Sequence, residues 1–250
     1  PIKENHHADF QFAQPISHPS GTRFTISLHQ DYGSAHTIGS FQISLGQASN
    51  PDSNPKEALT KAYQDWLAKI KPDLTPWLIL KPSKFEANTP YLTLEKDGII
   101  FAAGDTSKHD IFTLKFPASD TPVHSIRLEA LTDERLPEKG PGMTYYEGRK
   151  GDFFMSEFQI TTDKPLTFSN SSQTAFGAQY GQGNAAASAA IDGDIQSGWS
   201  LKTHIGTSQI AVFNLSEAIP PGTPFEIKMH FGRHFASTLG KFRISGSPIP

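Results

Sequence analysis

The sequence predicts a mainly β protein, an antiparallel β-sandwich of the jelly-roll type with one linker α-helix. Glycine and proline are frequent, at 20 and 19 of 250 residues, and charged residues make up 19 %, below the roughly 25 % of an average domain. Short segments with alternating apolar and polar residues recur from Trp77 onward with turn residues between them. Such a pattern favours antiparallel strands over βαβ units.

One segment near the start of the chain recurs without a gap near its end. A repeat at so long a distance is a domain, because solenoid units span roughly 20–50 residues. We therefore expect residues 1–46 to be the terminal strands of a preceding, incomplete sandwich, which makes the chain a piece of a larger protein. The matching pairs are Phe12/Phe213, Pro19/Pro220, Gly21/Gly222, Thr22/Thr223, Phe24/Phe225, Ile26/Ile227, His29/His230, Ala35/Ala236, Thr37/Thr238, Gly39/Gly240, Phe41/Phe242, Ile43/Ile244 and Ser44/Ser245.

Residues 21–46 have the pattern of a β-hairpin. Phe24 and Ile26 alternate with polar residues, residues 31–34 are turn formers, and the alternation resumes at Phe41. An isolated hairpin is marginal in water. The hairpin is therefore expected to need either the rest of its own domain or another part of this chain.

Residues 47–73 predict a helical linker with a helix over about 55–71. Asn54 suits the N-cap, Pro55 suits the first helical position, and Pro72 ends the helix. Its apolar residues recur at three- and four-residue spacing, which predicts a stripe that packs on a neighbouring sheet. A ligand platform of Tyr63 and Trp66 is the alternative. The stripe consists of Ala58, Leu59, Ala62, Tyr63, Trp66, Leu67 and Ile70.

Residues 74–250 predict one complete jelly-roll-like sandwich. Turn signals such as Lys96-Asp97-Gly98 and Pro220-Pro221-Gly222 separate its strands. The predicted strands are 77–80, 91–94, 99–102, 111–116, 125–131, 153–161, 166–168, 209–214, 225–230 and 241–245.

Composition excludes several classes of function. The net charge is −3 and the pI is near 6.4, which disfavours nucleic acid as a partner. The absence of cysteine excludes disulfides, thiolate zinc sites, iron–sulfur clusters and covalent haem attachment within these residues. No run approaches the 18 or so apolar residues of a membrane span.

The loop over residues 131–152 has the composition of a binding loop. Tyr145 and Tyr146 stand beside Arg149 and Lys150. Tyrosine rings stack on the apolar faces of sugars while their hydroxyl groups remain polar. We therefore predict ligand binding by Tyr145, Tyr146 and Arg149; the alternative is a long structural connection with solvated charges.

The segment 189–200 contains two aspartates around a glycine. Asp192, Asp194 and Ser197 supply carboxylate and hydroxyl oxygens, the ligands that Ca²⁺ prefers. The spacing differs from that of an EF-hand. The alternative is a turn in which the aspartates bond backbone amides and Trp199 fills the core below.

This segment also carries a family resemblance. Residues 190–194, followed by Ser197-Gly198-Trp199, resemble the A-x-D-G-x-x-x-T-x-W signature of discoidin-like domains, the C-terminal type of coagulation factors five and eight. More of the chain resembles a module of large planctomycete surface proteins that accompany c-type cytochrome domains. The matching pieces are 127–131, 136–137, 140–142, 151–153, 156–157, 192–199 and 239–245.

The resemblance implies an extracytoplasmic, galactose-binding-like sandwich that serves as a carbohydrate-binding accessory module. It also implies a structural Ca²⁺ held by Asp192, Asp194 and Ser197, with Glu157 as a further ligand. Two residues depart from the family pattern: Ser197 stands in place of the usual threonine, and the strand that carries Glu157 precedes the turn.

The function expected from the sequence is non-catalytic carbohydrate binding within a larger bacterial surface or periplasmic protein. Its partners would be a glycan and other domains of the parent protein. The alternative is a structural module that docks haem or catalytic domains. A glycoside-active enzyme is the third possibility, because paired carboxylates have no fixed spacing in sequence, although HExxH, GxSxG and P-loop motifs are absent from the sequence.

Overall fold

The structure is a computed structural model that describes residues 8–10, 12, 19–31, 33, 37–46, 55–70, 74–178 and 183–249. The chain divides into two compact units, Pro1–Asp73 and Leu74–Pro250. The mainly β class predicted from the sequence is confirmed. In chain order the elements are α1 (Pro55–Ile70), β1 (Leu78–Ile79), β2 (Lys84–Ala87), β3 (Tyr91–Leu94), β4 (Ile99–Ala103), β5 (Asp110–Phe116), β6 (Val123–Ala130), β7 (Glu157–Thr161), β8 (Phe168–Gln173), β9 (Gln209–Ile219), β10 (Phe225–Phe231) and β11 (Lys241–Ser247), with short 3₁₀ helices at Lys96–Gly98, Pro137–Lys139 and Ala187–Ala190.

Helix α1 lies where the sequence predicts it. Pro55 is its first residue, Glu57 lies in its first turn and Lys69 in its last, which suits the helix dipole. The predicted cap Asn54 and the terminating Pro72 lie outside the described residues. Leu59, Tyr63 and Trp66 are exposed, and the packing of this stripe on a sheet stays a prediction. Among the described residues, no helix is long and apolar enough to cross a membrane.

The hairpin predicted over residues 21–46 has no strand in the described part of that segment, and the incomplete sandwich expected for residues 1–46 stays a prediction. Residues 19–31 and 37–46 contain no strand. Their alternating apolar side chains, from Phe24 to Leu45, are about half exposed. A strand pair needs a neighbouring strand and a covered apolar face, and the described residues of this unit supply neither.

The second unit consists of two antiparallel sheets. The larger has the order β3-β4-β11-β6-β9-β8. Strand β1 pairs with β11 on the same edge as β4, but further along β11. The smaller has the order β2-β5-β10-β7. The second copy of the repeated segment forms β10 and β11, which place one central strand in each sheet. The second copy therefore spans a connection from one sheet to the other.

The core lies between the two sheets and is rich in phenylalanine. Strand β10 buries alternate residues, as expected for a strand with one face on the core. The Phe158 and Phe213 rings, from opposite sheets, stack with centroids 4.3 Å apart. Trp199 is fully buried, donates from Nε1 to the Ala175 carbonyl at 2.9 Å, and meets the Phe153 ring edge-on.

Most strands of this unit agree with the predicted ones, and two differences matter. Strand β2 is absent from the prediction, because its four residues carry a weak alternation. The strand predicted over 153–161 begins at Glu157. Residues 153–156 are buried instead beneath a loop, where Ser156 N donates to the His230 carbonyl at 2.7 Å. This irregular segment belongs to the candidate functional site.

Candidate functional site

Three loops meet where β10 ends and β11 begins, and we call this region the three-loop end: residues 141–156, 191–200 and 232–240. Gly142 pairs with Leu239, and Met155 pairs with Trp199. Glycine is required at position 142, because a Cβ atom there would collide with the backbone of Asp152. The close approach explains the Gly140-Pro141-Gly142 sequence and fixes the first loop to the third.

The predicted ligand-binding residues lie together on the first loop. Tyr145 and Tyr146 are 65 % and 85 % exposed, and Arg149 is exposed beside them. A backbone hydrogen bond from Gly151 N to the Thr144 carbonyl closes the loop at its base. Lys150 Nζ lies 4.4 Å from the centroid of the Tyr145 ring, a cation–π contact. Tyr146 thus presents the more open ring face.

Phe235 on the third loop is an exposed aromatic residue that the sequence analysis missed. It is 45 % exposed, and its amide donates to Glu147 Oε2 at 2.6 Å. The next residue, Ala236, has a φ of +58° and donates to the Ser107 carbonyl at 3.1 Å. A non-glycine residue in this left-handed region is unusual and is held there by its surroundings. The loop is therefore fixed with Phe235 outward.

Ser107, whose carbonyl accepts the bond from Ala236, is itself held in place by hydrogen bonds. Asp110 is fully buried, and its carboxylate accepts from Ser107 N and Ser107 Oγ, both at 2.7 Å. In the sequence, nothing around Phe235 indicates whether its side chain is buried. Only the tertiary contacts of Ser107, Glu147 and Ala236 show its orientation.

The second loop is a compact turn that brings together the predicted metal ligands. Asp192 Oδ1 accepts from Asp194 N at 2.9 Å. Ser197 Oγ lies 2.8–3.1 Å from four oxygen atoms: the Ala189 carbonyl, both Asp192 carboxylate oxygens and the Asp194 carbonyl. A serine hydroxyl has one proton to donate. Most of these oxygen pairs therefore have no hydrogen between them.

Glu157, on strand β7, is the fourth of the predicted metal ligands. Its Oε1 accepts from Gly193 N at 2.8 Å. Burial raises the pKa of Glu157, and the charges of Asp192 and Asp194 add to the rise, although the Gly193 hydrogen bond opposes it. The Gly193 hydrogen bond holds Glu157 beside the turn that carries the two aspartates, and its role as a metal ligand stays a prediction.

The donor chemistry of the turn suits a hard cation such as Ca²⁺. All donors are oxygens, from carboxylates, carbonyls and a hydroxyl, which is the set that Ca²⁺ prefers. No group of three or more His, Cys, Asp or Glu side chains that could hold a metal is found in the described part of the chain. Main-chain carbonyl oxygens would thus have to make up the coordination. The alternative, a turn held by its own hydrogen bonds, accounts for the Asp194 amide.

No protein-family model, curated protein or solved structure matches the chain. The resemblance to discoidin-like domains stays a prediction.

Asp152 is a second residue that the sequence analysis missed. It is fully buried, and its carboxylate accepts four bonds, from Phe153 N, Ser200 Oγ, Leu201 N and Lys202 N, at 2.7–3.0 Å. Burial raises its pKa against the effect of these bonds. A carboxylate without exposed surface is not positioned to contact a ligand, and it ties the first loop to the end of the second.

Two clefts of the second unit are formed without the exposed aromatic residues of the three-loop end, although Met143 of the first loop lines one of them. One of about 370 Å³ lies between β1 and residues 117–122, and another of about 360 Å³ lies beside Arg135 and Met143. Neither is lined by Tyr145, Tyr146 or Phe235. The aromatic residues therefore form an open surface, which suits a segment of a polymer better than a small enclosed ligand.

Proposed function

We propose that the chain is a non-catalytic carbohydrate-binding module whose ligand lies on the three-loop end. The observation that carries this proposal is the outward presentation of Tyr145, Tyr146 and Phe235 by loops that are fixed by hydrogen bonds. Large aromatic side chains are mostly buried in a stable domain, and an exposed group of them is typical of an interaction surface.

The chemistry of this surface fits sugars. A pyranose ring presents C–H groups on its faces and hydroxyl groups at its rim. Aromatic rings bury the C–H face, and the hydroxyl group of a tyrosine exchanges hydrogen bonds at the rim. Arg149 adds donors beside the tyrosines. Because the loops are already ordered, little conformational entropy is lost when a ligand binds.

In this proposal Ca²⁺ has a structural part. Asp192, Ser197 and Glu157 would hold it together with main-chain carbonyl oxygens. The ion would neutralise the three carboxylates of the turn, which repel one another. It would thereby stiffen the second loop against the first, and no reaction step involves it.

The proposed setting follows the family resemblance. The module would belong to a larger bacterial surface or periplasmic protein and would hold that protein, or its catalytic and haem domains, near a glycan.

A second candidate is a structural module that docks other domains of the parent protein. The exposed apolar side chains of the unit Pro1–Asp73, among them Leu59, Tyr63 and Trp66 of α1, favour it. This role concerns the first unit and is compatible with glycan binding by the second.

Affinity electrophoresis of the full chain tests the proposal. Gels would contain soluble polysaccharides such as pectin, xylan, alginate and galactan. We expect retardation in at least one gel and a loss of about tenfold or more in affinity for Tyr145→Ala/Tyr146→Ala, because each ring is a large contact. Tyr91→Ala is the matched control, since Tyr91 is 80 % exposed on β3, outside the three loops.

Two results would contradict the proposal: the wild type passes every gel unretarded, or the double variant is retarded as strongly as Tyr91→Ala. Release of reducing ends from the retarding polysaccharide would show that the module is catalytic.

A further inference from the structure

Two cationic side chains of the three-loop end contact neutral groups, and a third, Lys108, lies in the segment that holds the third loop. Lys150 lies over the Tyr145 ring. Arg233 donates to the Gln196 carbonyl and lies 5.5 Å from the centroid of Phe154. Lys108 is exposed next to Ser107, whose carbonyl holds the third loop. None of the three takes part in an ion pair within the described residues.

The ion pairs of the described residues lie elsewhere. They occur on the two sheets and in the loop after β6, and none of them involves a residue of the three loops. The pairs are Lys84–Glu86, Lys115–Glu226, Arg127–Glu129, Arg135–Glu95, Arg135–Asp133, Lys139–Glu134, Lys228–Glu226, Lys241–Asp133 and Arg243–Glu129. The chain has more acidic than basic side chains, with a net charge of −3, so cations without an acidic partner are the less expected case.

The carboxylates near the three cations are bonded to neutral donors. Glu147 accepts from the Phe235 amide, Asp105 from the Thr106 amide, and Asp110 from Ser107. Those of the neighbouring turn accept from Ser197 and from backbone amides. Lys108 and Lys150 are exposed and Arg233 is half-buried. Because none of the three pairs with a carboxylate within the described residues, they are available to a negatively charged ligand.

Resting on the proposed function, we infer that the polysaccharide bound at the three-loop end is anionic and carries carboxylate or sulfate groups. A sugar ring stacks on Tyr146 or Phe235, and its acidic substituent accepts hydrogen bonds from the ammonium or guanidinium group alongside. Such bonds are shorter and stronger than those between neutral groups. Arg233 is already held by Gln196 and Phe154, so less side-chain entropy is lost on binding.

Two matched pairs of polymers test the inference with the full chain by calorimetric titration. The first pair is polygalacturonate and its methyl ester, and the second is a sulfated galactan and unsulfated agarose. We expect at least one acidic polymer to bind about tenfold more tightly than its neutral partner, with an affinity that falls as salt is added.

Charge-removing variants locate the effect. Lys150→Gln and Lys108→Gln are each expected to weaken binding of the preferred acidic polymer about three- to tenfold. Lys228→Gln is the matched control, because Lys228 on β10 pairs with Glu226, and its affinity should equal that of the wild type. Arg233→Lys should retain more affinity than Arg233→Gln.

The outcomes separate this inference from the proposed function. Equal binding of acidic and neutral polymers, unchanged by Lys150→Gln, overturns the inference and leaves carbohydrate binding intact. Failure of all four polymers to bind, while another polysaccharide such as xylan still retards the chain in a gel, overturns the inference alone; failure of these four and of every gel overturns both. Binding to phosphatidylserine vesicles without binding to any polymer also overturns both and identifies the ligand as an acidic membrane surface.

Discussion

Ser197 offers one hydroxyl proton to four oxygen atoms within 3.1 Å. A single hydrogen bond satisfies one of these contacts. The others place lone pairs opposite one another, in a turn that also carries the charges of Asp192 and Asp194. A cation among these oxygens would relieve the repulsion, and this is the residue-scale basis for the proposed Ca²⁺.

Removal of the metal should lower the thermal stability of the second unit. At a hundredfold excess over its dissociation constant, Ca²⁺ should raise the melting temperature by about 5–10 °C relative to EDTA, because a ligand of the folded state stabilises it by mass action. Differential scanning calorimetry of the full chain measures this shift. Asp192→Ala should abolish it, and Asp163→Ala, in an exposed turn elsewhere, should leave it unchanged. The same melting temperature in Ca²⁺ and EDTA would contradict the metal proposal.

At the scale of residues, spacing along the sequence could predict which side chains lie together when all of them belong to one turn. Asp192, Asp194 and Ser197 are near in sequence and lie together in the structure. Phe235 and Asp152 could not be found in this way. The exposure of Phe235 depends on Glu147 and Ser107, and three of the four bonds to Asp152 come from residues 200–202, each distant in sequence.

Strands β10 and β11 show what the repeated segment requires of its surroundings. In the second unit β10 pairs with β5 and β7, and β11 pairs with β6 from Phe242 to Ser247. The first copy has a similar alternation but no strand among its described residues. Alternation therefore predicted the face that each strand would bury, but strand formation depends on neighbours that the pattern does not contain.

The two copies of the repeated segment are not interchangeable. We expect the second unit to lose stability when a buried residue of the second copy is replaced by its counterpart from the first copy. Phe231 is 1 % exposed with its ring 4.8 Å from that of Phe112, and its counterpart in the first copy is Gln30. Phe231→Gln should lower the free energy of unfolding by about 3–5 kcal/mol, because it removes a buried ring and buries an amide. Urea-induced unfolding of the full chain measures the change.

Met229→Leu is the matched control for that substitution. Leu28 occupies the equivalent position in the first copy, and a swap of similar volume should cost less than about 1.5 kcal/mol. If both substitutions had the same small cost, the first copy would fit the second unit as well as β10 does.

At the scale of the whole molecule, the second unit is a β-sandwich in which the β10–β11 connection crosses from one sheet to the other. The loop of this connection, residues 232–240, contacts both other loops of the three-loop end. Fold class followed from composition and alternation, because both describe how strands bury one face. The binding surface required the closed structure, since its aromatic residues come from two separate loops.

Amide chemical shifts of the full chain, titrated with galacturonate oligomers, show whether ligand binds at the three-loop end. We expect shift changes concentrated in residues 143–150 and 232–238, with smaller or absent changes on the outer faces of both sheets. Changes concentrated on a sheet face, or on the clefts beside β1 and Arg135, would contradict it.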